Sequence, residues 1–213
     1  MEIVETRTLG DGWLEVARRI LERGEEATWG GAPTRELALL TLVVDEPDPH
    51  DATIAELGDP AWLAWMHENF FVPKAVEELG GADSYAVRLF DYEHTGHDQL
   101  AWVVQRLRDD PACRDATITT FQPHSDTTYV PCVSLLDFWL REGAVELVVY
   151  AHSLDFGKKA YGNLVELAAL QSHVADELGS RSGSLVLHVK TAHVYEPELE
   201  LMQSLTSSAT PGA

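Results

Sequence analysis

The 213-residue sequence predicts an α/β or α+β protein. Segments with helical periodicity are interspersed among strand-like segments, and no linker is long enough to separate domains. The apolar fraction of 45% and the charged fraction of 23% are typical of a globular protein. We therefore expect one domain over residues 1–213, with a flexible tail from about residue 204, where the chain becomes small and polar.

The first half of the chain alternates between the two kinds of segment. Residues 11–27 place apolar side chains at helical spacing, with Asp11 as the expected N-cap. A β-rich run follows at 35–47, and a short helix is predicted at 60–71. Residues 84–92, "SYAVRLFDY", alternate apolar and other residues, which predicts a strand.

The second half begins with an amphipathic helix at 98–111, which ends at a proline. Three strand-like segments are then predicted, followed by the longest apolar-periodic helix, which ends at Gly179. The last strong strand carries "GSLVLHVKTAHVYE". These later elements span residues 115–123, 132–141, 144–153, 162–179 and 183–196.

Charge and composition exclude several classes of function. The formal net charge of −20 repels nucleic acid and anionic membranes, so neither is an expected partner. Two cysteines, Cys113 and Cys132, are too few for a disulfide scaffold or a cysteine-based zinc site. No HExxH motif, signal peptide or membrane-length apolar run is visible, so we expect a reduced, cytoplasmic protein without a metal.

Three short stretches carry candidate chemistry. Cys132 follows a proline in "YVPCVSLLDFWL", although a single cysteine is more often a buried packing residue. The segment "AHSLDFGKKAYGN" follows a predicted strand, where ligand-binding loops commonly occur, but it also suits a solvated loop. His193 and Tyr195 are at alternate positions of a strand and therefore face the same side.

The spacing of these stretches resembles the thymidylate synthase superfamily, which includes pyrimidine nucleotide hydroxymethylases. The intervals are 23 residues from Cys132 to Asp155, 8 to Asn163 and 30 to His193. "SYAVRLF" and "DQLAWVVQRLRDDPACRDATI" resemble further family segments, so the resemblance covers about residues 84–196. It implies a thymidylate synthase-like fold, with a mixed β-sheet flanked by helices, that forms a homodimer sheet to sheet.

The resemblance also implies a covalent mechanism. A cysteine thiolate adds to C6 of a pyrimidine, which makes C5 a carbon nucleophile toward the methylene group of 5,10-methylenetetrahydrofolate or a related pterin. Cys132 would be the nucleophile, and Asp155 would address the pterin or its water network. The nucleotide would be bound by Asn163 at the base, by His193 and Tyr195 at the sugar, and by Ser153 and Arg114 at the phosphate, with Arg114 donated by the partner subunit.

Other assignments rest on weaker matches. Arg35 follows a glycine-rich turn and is a candidate nucleotide ligand. Trp62 and Trp65 could line the cofactor cleft, but a pair at this spacing is as often plain core. Glu56 and Glu68 are candidates for the carboxylate that relays protons.

The sequence departs from the family pattern at three polar positions. His152 replaces an arginine, Asp115 replaces the second arginine of a pair, and Val133 replaces the histidine after the nucleophile. Protonated His152 could supply the missing charge beside the thiol over part of the pH range. The losses weaken a phosphate site, so a substrate without the usual 5′-phosphate is one alternative.

Two features of the sequence favour different reactions. The chain runs only 18 residues beyond Tyr195, so the family's closing segment is missing, which favours a nucleotide C5-hydroxymethylase of the CMP, dCMP or dUMP type. Asn163 favours a uracil base, which suits a true thymidylate synthase that methylates dUMP. A non-catalytic nucleotide-binding descendant is the remaining alternative.

Overall fold

The structure is a computed structural model that describes residues 1–208. Its strands are β1 Glu2–Thr6, β2 Glu25–Trp29, β3 Ala32–Val44, β4 Ala75–Val76, β5 Ala82–Asp83, β6 Ala116–Thr119, β7 Val133–Arg141, β8 Ala144–Ala151, β9 Leu154–Asp155 and β10 Arg181–Tyr195. Its α-helices are α1 Leu9–Arg23, α2 Ala52–Leu57, α3 Pro60–Phe71, α4 Tyr85–Phe90, α5 Gln99–Asp109, α6 Ala160–Leu178 and α7 Leu199–Ser208. The predicted fold class, a mixed sheet flanked by helices, is confirmed.

The main sheet has the strand order β1-β3-β10-β8-β7-β6, with β2 added to β3 and β9 added to β10. The pairing is mixed, because β10 runs antiparallel to β3 and parallel to β8. β3 and β10 are the longest strands, at 13 and 15 residues. The carboxyl end of β10 extends beyond β8, and β9 pairs with it there.

The two faces of the sheet differ in what covers them. Helices α1, α5 and α6 pack on one face, against buried residues such as Leu185, Leu187 and Val189 of β10. On the other face of β7 and β8, apolar side chains are exposed within the described chain. Leu135, Trp139 and Tyr150 there are 38%, 44% and 41% exposed.

The predicted strand over residues 84–92 is wrong, because this segment contains helix α4. The Ser84 side chain accepts a hydrogen bond from the Val87 amide and caps the helix. Residues 85–89 are all buried, so the alternation of apolar and other residues did not mark two different faces.

The first predicted helix is confirmed, but its ends differ. Thr8, not Asp11, is the N-cap, since the Thr8 side chain accepts from the Asp11 amide. The helix ends at Arg23, and residues 25–29 form β2, which pairs with β3 as a hairpin.

The tail predicted to be flexible from about residue 204 is helical through Ser208. α7 packs on α1, and its Met202 is fully buried, which fixes the helix to the domain. The rest of that predicted tail, residues 209–213, lies outside the described residues. Among residues 1–208, no helix has the length and hydropathy needed to cross a membrane.

A buried ion pair ties α4 to the loop after β6. The Arg88 guanidinium lies 2.7 Å from both carboxylate oxygens of Asp126 and also donates to the Thr120 carbonyl at 2.7 Å. The Arg88 and Asp126 side chains are 2% and 4% exposed. Removal of one partner would therefore leave the other charge buried without compensation.

We predict that Arg88→Ala lowers the free energy of unfolding by about 3–5 kcal/mol, measured by urea denaturation. Arg7→Ala is the control, because Arg7 and its partner Glu46 are 74% and 62% exposed. That control should cost less than about 1 kcal/mol. Equal losses in the two variants would contradict the assignment of Arg88 as a structural anchor.

Candidate active site

A cavity of about 770 Å³ opens where the end of β10 meets the start of β7. Cys132 lies directly before β7, and His193 and Tyr195 lie at the carboxyl end of strand β10. Eight of the predicted site residues line this cavity, namely Cys132, His152, Ser153, Asp155, Asn163, His193, Tyr195 and Trp65. The fold thus brings together side chains that the sequence separates widely.

Cys132 is held by backbone hydrogen bonds on both sides. The His152 amide donates to the Cys132 carbonyl at 3.0 Å, and the Val133 amide donates to the Tyr85 hydroxyl at 3.0 Å. Burial raises the pKa of the Cys132 thiol, the positive charge of Lys159 lowers it, and the carboxylate of Asp155 raises it. The thiol is therefore in an environment that favours its neutral form unless a cation compensates.

Asp155 is positioned by strand pairing and by the turn that follows it. It lies opposite His193 in the pairing of β9 with β10. Its Oδ1 accepts from the Gly157 amide at 2.9 Å and the Lys158 amide at 3.3 Å. Burial raises the pKa of Asp155, against the opposing effects of His193 and these amides.

The remaining polar residues of the cavity contact one another or the nearby backbone. His193 Nδ1 lies 3.2 Å from Ser153 Oγ. The His193 and Tyr195 rings are nearly perpendicular, with centroids 5.0 Å apart. Asn163 is in the first turn of α6, where its Nδ2 donates to the Lys159 carbonyl at 2.9 Å.

Three predicted site residues do not line this cavity. The Arg35 guanidinium donates to the Leu21 carbonyl at 2.8 Å, so it is directed toward the end of α1. Arg114 is exposed in the loop before β6. Trp62 contacts the Trp65 ring at a centroid distance of 5.3 Å but lines a neighbouring cavity with Lys158.

Neither candidate for the proton-relay carboxylate lines the cavity. Glu56 is exposed on α2, and Glu68 is paired with Lys74 at 2.6 Å on the outer side of α3. Among the described residues that line the cavity, the carboxyl group belongs to Asp155.

His152 is a poor replacement for the arginine that the family pattern has at this position. Burial lowers the pKa of His152, and the charge of Lys190 lowers it further. A histidine with a lowered pKa is neutral at physiological pH. The expectation that protonated His152 supplies the positive charge is therefore not supported.

Several lining residues were missed in the sequence. Tyr85 was assigned to a strand, but it projects from α4 into the cavity, and burial raises its pKa well above the usual value. Trp29 is 71% exposed at the tip of the β2–β3 hairpin and lines the cavity rim. The signal for it was "WGG", since Gly30 and Gly31 both adopt positive φ, as such hairpin turns require.

Comparison with known proteins agrees with this geometry. Residues 44–211 match the family model described as thymidylate synthase. The fold and this match make the chain a one-carbon transferase. The chain belongs to the thymidylate synthase family.

Archaeal relatives match along nearly the whole chain. A "Putative thymidylate synthase" of Methanosarcina barkeri is 28% identical over 211 residues, which cover 95% of this chain and 94% of that protein. A protein with the same description from Methanothermobacter thermautotrophicus is 29% identical over 210 residues, covering 91% and 93%. A "Bifunctional dihydrofolate reductase-thymidylate synthase" of Paramecium tetraurelia is 25% identical over 186 residues, covering 86% of this chain and 36% of that protein.

We predict that Asp155→Asn is at least as stable as the wild type at neutral pH, whereas Asp155→Ala is less stable by about 1–2 kcal/mol. Asparagine keeps an acceptor for the Gly157 and Lys158 amides and removes the cost of a buried charge. Both stabilities are measured by urea denaturation.

The difference in stability between the wild type and Asp155→Asn depends on pH. The folded-state pKa of Asp155 is raised above its unfolded value, so the native state holds the proton more tightly. The wild type therefore loses stability relative to Asp155→Asn as pH rises from the ordinary aspartate range through the raised pKa, and the difference is constant above it. A difference that grows toward acid pH would contradict the raised pKa.

Proposed function

We propose that the protein transfers a one-carbon unit from a folate to C5 of a pyrimidine nucleotide, through a covalent bond between Cys132 Sγ and C6. The observation that carries this proposal is the convergence of Cys132, Asn163, His193 and Tyr195 on one cavity large enough for a nucleotide. A binding protein would not need a thiol at the centre of this set.

The chemistry proceeds by addition and elimination. The Cys132 thiolate forms a bond to C6, and the electron pair of the C5–C6 double bond moves onto C5 and its neighbouring carbonyl as an enolate. C5 then bonds the methylene carbon of the folate and loses its proton, and the electron pair of that C–H bond expels the folate nitrogen to leave an exocyclic methylene group at C5. Water, or a hydride from the folate, adds to the methylene carbon, and the returning electron pair reforms the C5–C6 double bond and expels the sulfur. Asn163 holds the base edge, His193 and Tyr195 hold the sugar, and Ser153 binds the phosphate.

The cavity also has surfaces that fit a pterin. Trp65, Leu79 and Met66 supply an apolar wall, and the buried Asp155 carboxyl supplies a polar group for the ring nitrogens. Here 5,10-methylenetetrahydrofolate or a related pterin would supply the methylene group. Asp155 would orient that ring against the nucleotide.

We favour a hydroxymethyl product, for which water captures the one-carbon unit. None of the α7 residues, 199–208, lines the cavity, so the described part of the chain leaves it uncovered by a C-terminal segment. Reduction to a methyl group needs a site closed to water. The alternative is a true thymidylate synthase acting on dUMP, which Asn163 and the descriptions of the relatives favour.

Product analysis separates these two reactions. The protein would be incubated with methylenetetrahydrofolate and CMP, dCMP or dUMP, and the nucleotide examined by mass spectrometry. A hydroxymethylated base with tetrahydrofolate supports the hydroxymethylase. A methylated base with dihydrofolate supports the thymidylate synthase.

The remaining alternative is a non-catalytic nucleotide-binding descendant, motivated by the raised pKa of Cys132. We predict instead that a 5-fluoropyrimidine nucleotide and methylenetetrahydrofolate form an adduct on Cys132, because fluorine cannot leave as a proton does. Intact mass spectrometry and peptide mapping would locate it. Cys132→Ala should form none.

Cys113→Ala is the matched control for this experiment. Cys113 is 4% exposed and does not line the cavity, so its removal should leave the adduct unchanged. The covalent mechanism would be contradicted if no adduct formed with any 5-fluoro analogue of the uridine and cytidine monophosphates, in either the ribose or the deoxyribose form.

We further propose a homodimer formed sheet to sheet. The exposed face that carries Leu135, Trp139 and Tyr150 is the surface that a second copy would cover. Arg114 would then reach the phosphate in the partner subunit's cavity.

We predict that mixing inactive Cys132→Ala and Arg114→Ala subunits restores about one quarter of wild-type activity, since half of the dimers are hybrids with one intact site. Subunits would be exchanged by mild denaturation and refolding before the assay. If activity is not restored by mixing, Arg114 does not act across the interface.

A further inference from the structure

Ionisable groups from several elements line the cavity that contains the Cys132 thiol. They are Tyr85 of α4, Tyr129 of the preceding loop, His152 and Asp155 of the segment after β8, Lys159 at the start of α6, and His193 and Tyr195 of β10. The three tyrosines are neutral at physiological pH, since burial raises the pKa of each. Among these described lining residues, Lys159 is the one lysine or arginine.

Lys159 is fixed in place by the residues that flank the thiol. Its amide donates to the Asp155 carbonyl at 3.1 Å, and its carbonyl accepts from both the backbone and the side chain of Asn163, at 3.1 and 2.9 Å. The backbone of Lys159 therefore cannot move without moving two other residues of the site. Its side chain adds a full charge at the N-terminus of the 19-residue helix α6, where the helix dipole is also positive.

The adjacent Lys158 lines a different cavity. Its Nζ lies 4.6 Å from the centre of the Trp62 ring and lines the neighbouring cavity, whereas the Lys159 Nζ is 5.9 Å from that ring. Lys158 does not line the cavity that contains Cys132. Both ammonium groups therefore lie near the Trp62 ring, but of the two lysines Lys159 is the one that also lines the cavity containing the thiol.

We propose that Lys159 stabilises the Cys132 thiolate and is the positioning residue that replaces the arginine missing at His152. This inference rests on the proposed function, in which the thiolate attacks a pyrimidine. The interaction between the lysine charge and the thiolate does not itself require a substrate. A nearby ammonium favours the thiolate over the thiol, and only the thiolate attacks a pyrimidine or an alkylating reagent. The ammonium of Lys159 keeps its own proton throughout.

The test is the pH profile of Cys132 alkylation by iodoacetamide in the full chain. The rate at Cys132 would be read by peptide mass spectrometry, which separates it from Cys113. In Lys159→Met the profile should shift to higher pH, and at neutral pH the rate should fall at least about threefold, which corresponds to about half a pKa unit. Lys159→Arg should keep the wild-type profile, because it keeps the charge.

Lys158→Met is the matched control, since it removes an equal charge one residue away. Its profile should superimpose on that of the wild type. If Lys159→Met does not fold, as judged by circular dichroism, Lys159→Gln is measured instead and read in the same way. Superimposable profiles for the wild type and the neutral variant at position 159 would overturn the assignment, as would equal shifts at positions 158 and 159.

Failure of this inference is distinguishable from failure of the proposed function. A wild type that forms the fluoropyrimidine adduct, together with an unshifted Lys159→Met profile, rejects only the role of Lys159. A shifted profile without any adduct supports the role of Lys159 on the thiol and rejects pyrimidine chemistry.

Discussion

The pairing of β9 with the end of β10 is the constraint on which the site depends. This short ladder sets Asp155 opposite His193, and the Phe156 amide donates to the His193 carbonyl at 2.7 Å. A second bond, from the His152 amide to the Cys132 carbonyl, ties the same segment to the start of β7. Because both bonds are made by the backbone, the fold itself positions the segments that carry the Cys132 thiol, the Asp155 carboxyl and the His193 imidazole relative to one another.

Burial affects the two ionisable groups at the centre of this arrangement in the same way. It raises the pKa of both the Cys132 thiol and the Asp155 carboxyl, so each neutral form is favoured relative to water. Ionisation of the thiol then depends on a nearby cation, and Lys159 lines the same cavity as the thiol. The net charge of −20 strengthens this requirement, because a negatively charged molecule opposes the formation of a further negative charge on the thiol.

Much of the fold and of the cavity lining could be predicted from sequence. The intervals from Cys132 to Asp155, Asn163 and His193 resemble those of the thymidylate synthase family, and that resemblance indicated which polar residues line one cavity. The helical state of Tyr85 was not predicted, because a short buried helix and a strand give similar apolar patterns. Arg35 was assigned by its position after a glycine-rich turn, but the direction of its guanidinium depends on the carbonyl at the end of α1. The contrast between Lys158 and Lys159 likewise depends on the start of α6, which sequence defines only to within a few residues.

The central claim, that Cys132 adds to C6 of a pyrimidine nucleotide, is tested most directly by hydrogen exchange at C5. Addition makes C5 basic, so a nucleotide incubated with the protein in deuterated water should exchange its C5 hydrogen, as followed by proton NMR. The account predicts exchange with the wild type and none with Cys132→Ala. Exchange that persists in Cys132→Ala, or its absence with every uridine and cytidine monophosphate tested, would contradict it.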